Sequence, residues 1–271
     1  MSKILESNSF LDEKGEVIFK IHEHVAYVTI NRPERRNAIS KKVRKALIEI
    51  FCEVNDNLDI WALVLTGVGN RAFCAGGDLK ENKENADKNN RPSVPMTGIH
   101  RNLYETLLEI YKPTICALNG AAMGGGCEMA LACDIRIAAE NAVLGFPEAK
   151  IGMGANFGSV LLPKLIPRAI ALEVLYTGKP IIAQDALKWG LLNKVVSFKD
   201  LIPETERFVR KIIENAPLTL RRYKHMAVKA WGMPVASALR ADFGPNPYLS
   251  EDRKEGVRAF VEKRKPQWHN C

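Results

Sequence analysis

The chain has 271 residues, 46% hydrophobic and 26% charged, the profile of one globular domain plus an extension with enough apolar material for a full core. No apolar run reaches the ~18 residues that cross a bilayer. The opening residues 1–6 have neither a hydrophobic signal core nor an Arg-rich, acid-poor transit character, which predicts a cytosolic protein. Lysine and arginine exceed aspartate and glutamate by 39 to 31, a formal net charge of +8 that suits a phosphate-bearing ligand or nucleic acid and says little about fold.

Cys52, Cys74, Cys116, Cys127, Cys133 and Cys271 form no CxxC pair, and the five histidines show no metal-ligand spacing, so neither a disulfide nor a metal is expected. The chain also lacks a GxSxG elbow, a GxxxxGK[ST] loop and a GxGxxG that follows a strand and opens a helix. Serine-hydrolase, P-loop and Rossmann chemistry are thereby disfavoured.

In chain order, residues 17–21 and 25–30 predict a β-hairpin. A helix follows, capped by Ser40, with Val43, Leu47, Ile50 and Phe51 at helical spacing as far as about residue 55. Residues 61–66 are a strand feeding a first glycine turn at 72–78, and the polar stretch 81–95 predicts a mobile surface loop. Residues 99–111 place Leu103, Leu107 and Leu108 on one helical face, and the strand 113–118 runs into a second glycine turn at 123–128. Helix 126–133 and strand 134–138 repeat the pattern, consistent with stacked ββα turns.

Beyond about Leu201 the patterns are helical: 204–215, 219–230, 234–241 and 250–265, the last opened by Ser250-Glu251-Asp252. A terminal run of helices with little sheet to cover predicts packing on a neighbouring subunit. The basic residues gather at Arg35 to Lys45, at Arg221 to Lys229 and at Arg253 to Lys265.

The two glycine turns read together as a split oxyanion hole. Two N–H donors can approach one developing oxyanion only where side chains are absent. Gly77 and Gly125 are the candidate donors, and Glu128 lies one helical turn beyond.

The motifs, in order, are Asn31-Arg32-Pro33 with Asn37-Ala38, then Phe73-Cys74-Ala75-Gly76-Gly77-Asp78-Leu79-Lys80, then Asn119-Gly120-Ala121-Ala122 leading to Gly124-Gly125-Gly126-Cys127-Glu128. They continue with Cys133-Asp134-Ile135-Arg136-Ile137-Ala138, with Leu144-Gly145-Phe146-Pro147-Glu148 and Gly152, with Tyr176-Thr177-Gly178 and 183–193, and with a terminal helix at 250–266. In this series the chain resembles the crotonase superfamily of enoyl-CoA hydratases and isomerases, from about residue 15 to 268. The resemblance implies an α/β fold, a crotonase-like stacked ββα spiral core over residues 1–200 with a C-terminal helical oligomerisation region over 201–271. It also implies homotrimers, commonly paired as homohexamers.

Reversible hydration of an α,β-unsaturated acyl-CoA thioester needs a group that activates water at Cβ, a group that protonates Cα, and donors for the enolate oxygen. Glu128, in the first turn of a helix where the dipole favours the ionised form, fits the base. Glu148, in an apolar stretch where desolvation holds its proton, fits the acid. By the resemblance, the Ala38 backbone, Asp78 and Lys80 line the path of coenzyme A, and Phe260 and Lys263 meet its adenosine phosphate end, often across a subunit boundary. Coenzyme A is then part of the substrate and no separate cofactor is implied.

Two departures from the family pattern stand out. Many hydratases have alanine where Gly77 stands, and the stretch 151–161 replaces a common Pro-Gly-x-Gly-Gly-x-x-Arg pattern with Phe157 at a usual glycine and Leu161 at a usual arginine. Both bordering residues predict an acyl pocket unlike that of a short fatty-acid hydratase. Alternatives within the superfamily are a specialised lyase, an isomerase or a carnitinyl-CoA dehydratase-like enzyme, which 166–170 and 186–196 also resemble. A noncatalytic RNA-binding member is a distant alternative, disfavoured because the basic helix lacks interleaved aromatics and both glutamates are intact.

Overall fold

The computed structural model describes residues 15–86 and 101–271. Strands β1 (Val17–His22) and β2 (Val25–Ile30) form the expected antiparallel hairpin, with Val17 opposite Ile30 and His22 opposite Val25. Its two turn residues, Glu23 and His24, both have positive φ, the geometry whose twist matches paired strands. Helix α1 (Lys41–Asp56) begins where Ser40 Oγ accepts the Val43 N–H, and it buries Val43, Leu47, Ile50, Phe51 and Val54.

Strand β3 (Ala62–Gly67) is followed by β4 (Ala72–Cys74) and α2 (Leu79–Ala86). Residues 81–86, expected in a loop, thus continue a helix, because Asp78 Oδ1 accepts the Glu81 N–H and anchors the first turn. The rest of that expected loop, 87–95, lies outside the described residues. Helix α3 (Leu103–Leu108) is shorter than the 99–111 pattern, being started by an Asn102–Glu105 capping box; residues 99 and 100 lie outside the described residues.

Next come β5 (Thr114–Leu118), β6 (Ala121–Met123), α4 (Gly125–Ala132), β7 (Ile135–Ala139) and β8 (Val143–Gly145). Helices α5 (Asn156–Leu165) and α6 (Arg168–Thr177), strand β9 (Ile181–Ile182), helix α7 (Ala183–Lys188) and strand β10 (Lys194–Val196) complete the core. The terminal helices are α8 (Leu201–Ile213), α9 (Pro217–Lys229), α10 (Val235–Ala238) and α11 (Glu251–Glu262). The expected helix at 234–241 contracts to the single turn of α10.

One sheet runs β1-β2-β3-β5-β7-β10 and the other β4-β6-β8-β9. Strands β3, β5 and β7 pair in parallel in the first, and each is followed by the short strand β4, β6 or β8 that pairs in parallel in the second. The chain therefore winds between two sheets as a spiral of ββα turns, the architecture expected from the sequence. Strand β5 is buried along its whole length, as parallel strands covered on both faces must be. Side chains alternate between the two faces. Leu63, Leu65, Cys116 and Leu118 point into the main core, whereas Ala62, Val64, Ile115 and Ala117 pack against Leu201 and Val209 of α8. Among the described residues no helix is long and apolar enough to cross a membrane.

Candidate active site

The first glycine turn is held from behind by two asparagines. Asn37 Nδ2 and Asn119 Nδ2 both donate to the Ala72 carbonyl, at 2.8 and 3.0 Å, so the Asn37-Ala38 and Asn119-Gly120 motifs anchor the start of β4. Ile39 then pairs with the turn: its N–H donates to Gly76 O at 2.8 Å and its carbonyl accepts the Asp78 N–H at 3.1 Å. In a parallel bridge the central residue turns its own N–H to the opposite side. The Gly77 N–H accordingly faces away from Ile39.

The second turn abuts the first. A Cβ placed on Gly76 would stand 2.8 Å from Met123 O and 3.2 Å from Gly125 N. Gly125 opens α4, so its N–H is among the first-turn donors that have no acceptor within the helix. The structure thus brings the Gly77 and Gly125 segments together as the sequence predicts.

Each member of the glycine run has its own reason to be glycine. Gly124 has φ 52°, and a Cβ there would lie 2.5 Å from Glu148 Oε1. A Cβ on Gly125 would overlap the Tyr104 hydroxyl, and one on Gly126 would overlap the carbonyl of Cys74 in β4. The sequence supplied only the first part of this, that bare backbone leaves amides approachable.

Glu128 projects from α4 into a buried site and its Oε1 accepts the Gly158 N–H at 2.9 Å. Burial pushes its carboxyl above the ordinary range, and the N–H groups of Gly158 and Phe157, the Tyr104 hydroxyl and the Arg44 charge pull it part of the way back. The helix start was expected to favour the ionised form; the net direction is the opposite and is set by burial, and the N–H donors belong to the start of α5.

Glu148 sits in a short 3-10 turn, Pro147–Ile151, closed by Gly152 at φ 67°. Its Oε2 is buried without a hydrogen-bond partner. Burial raises its carboxyl, its own backbone N–H counteracts this, and the negative charge of Glu128 raises it further. Lys150, a conceivable ion-pair partner from sequence, instead lays its aliphatic stem along Gly178.

Phe157 lies in the first turn of α5 and its ring leans on Tyr104, with centroids 5.5 Å apart at 35°. One turn on, Leu161 lines a cavity of about 190 Å³ with Leu108, Leu131, Leu165 and Trp231. Three helices thus each give one residue to the carboxylate site, Tyr104, Glu128 and Phe157, and one residue a turn later, Leu108, Leu131 and Leu161, to the cavity behind it. Sequence reasoning missed Tyr104 and Gly158. Tyr104 was hidden among the buried leucines of its helix, and Gly158 in a stretch that drew notice only for Phe157 and Leu161.

The expected coenzyme A contacts divide. Arg32 binds the Ala38 carbonyl through Nη1 at 2.7 Å and Asp78 Oδ2 through Nη2 at 3.1 Å. Burial pushes Asp78 up, but the Glu81 N–H and Arg32 outweigh it and hold the carboxyl below the ordinary range. Asp78 therefore braces the turn and α2, while Lys80 stands exposed on the same helix. Phe260 is 84% exposed on α11 and Lys263 ends that helix in the left-handed region. The hydrogen bonds that seat this terminal segment run elsewhere, from Trp268 to Glu214 O and from Asn270 to Leu58 O.

The chain is 38% identical over 261 residues to the (E)-benzylidenesuccinyl-CoA hydratase of Thauera aromatica, covering 94% of this chain and 99% of that protein. It is 36% identical over 260 residues to the carnitinyl-CoA dehydratase of Citrobacter koseri, covering 92% and 97%. The crystal structure of the enoyl-CoA hydratase from Bacillus anthracis superposes with a TM-score of 0.87 at 32% identity, over 95% of this chain and all of that one. The family model for enoyl-CoA hydratase/isomerase matches residues 20–270. With the spiral fold and the paired turns in place, this near-complete match shows that the chain belongs to the enoyl-CoA hydratase/isomerase family.

Proposed function

We infer that the protein is an enoyl-CoA hydratase, adding water reversibly to an α,β-unsaturated acyl-CoA thioester. The observation that carries this reading is the pair of carboxylates at the second glycine turn: Glu128, buried and accepting the Gly158 N–H, and Glu148, whose Oε1 stands where a side chain on Gly124 would lie and whose Oε2 is buried without a partner. The thioester oxygen accepts the N–H groups of Gly77 and Gly125, which stabilise it as it becomes an enolate. Glu128 takes a proton from the water whose oxygen bonds to Cβ, and Glu148 gives its proton to Cα. Proton exchange with solvent then returns Glu128 to the carboxylate and Glu148 to the acid. Run backwards, the same steps expel water from a 3-hydroxyacyl thioester.

A relative named as a dehydratase supports the reverse direction on a specialised acyl group. Lys80, and Phe260 and Lys263 from a neighbouring protomer, are assigned to the coenzyme A moiety, with Ala38 and Asp78 shaping its path. Phe157 and Leu161 are assigned to the acyl group. The exposed apolar residues of the terminal region, including Tyr248, Leu249, Phe260 and Val261, fit a trimer or hexamer. A panel of enoyl-CoA thioesters, aliphatic and aromatic, tests the reading by loss of the conjugated-thioester absorbance. Hydration of at least one member is expected; no change across the panel, and none with the matching 3-hydroxyacyl thioesters, would overturn it.

A further inference from the structure

Tyr104 reaches the site from the first turn of α3, a position fixed by the capping box: Asn102 Oδ1 accepts the Tyr104 and Glu105 N–H groups at 2.8 and 3.0 Å, and Glu105 Oε2 accepts the Asn102 N–H at 2.8 Å. The side chain is buried, its ring packed on Phe157. Its hydroxyl occupies the volume that any side chain at position 125 would need, while Cζ stands 3.4 Å from that same point. Gly125 and Glu128 stand three residues apart on one face of α4, and the Phe157 ring that packs on Tyr104 adjoins the Gly158 N–H that holds Glu128 Oε1. This geometry sets the hydroxyl beside the Glu128 carboxylate, in line with the pull of each group on the other's titration. Gly125 therefore does two things. It leaves its N–H approachable, and it vacates the seat that the Tyr104 hydroxyl takes.

Resting on the hydration reading above, we propose that Tyr104 is a positioning residue: from the seat vacated by Gly125, its hydroxyl donates to Glu128 and fixes the orientation in which that carboxylate receives the water's proton. A carboxylate with one oxygen held by the Gly158 N–H still rotates its second oxygen. A hydroxyl donor from a different helix defines the remaining direction, as carboxylates that act on water require. Such donation also favours the ionised form. The other groups facing Glu128 are the Arg44 guanidinium of α1, the Phe157 and Gly158 N–H groups of α5, Glu148, and the thiol of Cys127; the Cys74 thiol of β4 faces Tyr104. Of these donors, the tyrosine hydroxyl is the one removable by taking away a single oxygen.

The test uses Tyr104→Phe, Gly125→Ala and the double variant, with kcat, KM and the pH profile measured on the best thioester of the panel. Tyr104→Phe keeps the ring against Phe157. It is expected to lower kcat by about 10- to 100-fold, the size associated with a hydrogen bond to a charged group, with KM nearly unchanged. The acidic limb should move to higher pH, because Glu128 then holds its proton longer. Gly125→Ala is expected to displace the hydroxyl and so to move the acidic limb as Tyr104→Phe does, and to move it no further in the Tyr104→Phe background, whatever it does to kcat through its own N–H. Wild-type kcat and acidic limb in Tyr104→Phe, or a shift of the limb by Gly125→Ala that is equal in both backgrounds, would overturn the proposal. Infrared titration of the Glu128 carboxyl, identified by its loss in Glu128→Gln, separates this proposal from the hydratase reading and needs no turnover. A midpoint that rises in Tyr104→Phe supports the positioning role even if the panel is inert, and an unmoved midpoint refutes it even if the panel is hydrated.

Discussion

Glu148 keeps a buried carboxylate oxygen without a partner, an arrangement that costs about 1–3 kcal/mol until a ligand supplies one. Both Glu148 and Glu128 hold their protons to higher pH than an unfolded chain would. Above the ordinary carboxylate range the unfolded chain thus binds fewer protons than the folded one, and stability falls as pH rises through the folded titrations. Glutamine at either position removes that ionisation cost. Glu148→Gln is therefore expected to raise Tm at pH 7, on the scale of about 0.5–2 kcal/mol typical of relieved functional sites, while depressing turnover. A lower Tm by calorimetry would show that the carboxylate supports the fold instead. The proposed roles need Glu128 ionised and Glu148 protonated, so kcat/KM should follow a bell in pH, its two limbs belonging to the coupled pair. A profile with no limb between pH 4 and 9 would contradict these roles.

Among the elements, α5 joins the proposed acid–base site to the proposed acyl wall. It gives Glu128 its Gly158 N–H, carries Phe157 on the next residue, and approaches Phe146 so closely that a Cβ on Gly158 would overlap the ring. Gly158→Ala is expected to cost about 1–3 kcal/mol by overpacking and to lower kcat through the lost alignment of Glu128. Thermal melting together with kinetics checks both effects, and a normal kcat would show that α5 does not align the base. Phe157→Gly should instead change the ranking of acyl groups, by roughly 10–100-fold, more than it changes the affinity for coenzyme A, since a buried aromatic contributes about 1.5–3 kcal/mol. An unchanged ranking over the thioester panel would remove Phe157 from the acyl pocket.

The elements differ in how openly the sequence declares them. Helix α1 was legible because Ser40 caps it and Val43, Leu47 and Ile50 keep the helical period. Strands β4, β6 and β8 were not, because three residues are too few to show alternation and β4 and β6 run directly into glycine turns. Helix α5 contains Gly158 and Pro163, which weaken any helical reading, and packing against Phe146 makes the glycine necessary. The two glutamates and the two glycine turns stood out as candidates because bare turns and carboxylates imply a chemistry. Tyr104 did not, because a tyrosine on a buried helical face reads as core until its hydroxyl is found in the space that a side chain on Gly125 would need.

For the whole molecule, the division of labour follows from burial. Helix α8 covers the outer face of the six-stranded sheet through Leu201 and Val209, but α11 leaves Val257, Phe260 and Val261 exposed. A chain with that much apolar surface at one end is expected to assemble, and a trimer would carry Phe260 and Lys263 to a neighbour's coenzyme A site. Deleting residues 250–271 should then weaken assembly and raise KM together. A monomeric full-length protein by light scattering at micromolar concentration would refute this.

Glu128 and Glu148 are proposed to act on opposite carbons of one double bond, and single-turnover hydration of the preferred enoyl-CoA by wild type, Glu128→Gln and Glu148→Gln tests this most directly. Each variant is expected to bind the thioester normally and to hydrate it about 10²–10⁴-fold more slowly; near-normal hydration by either one would contradict the assignment.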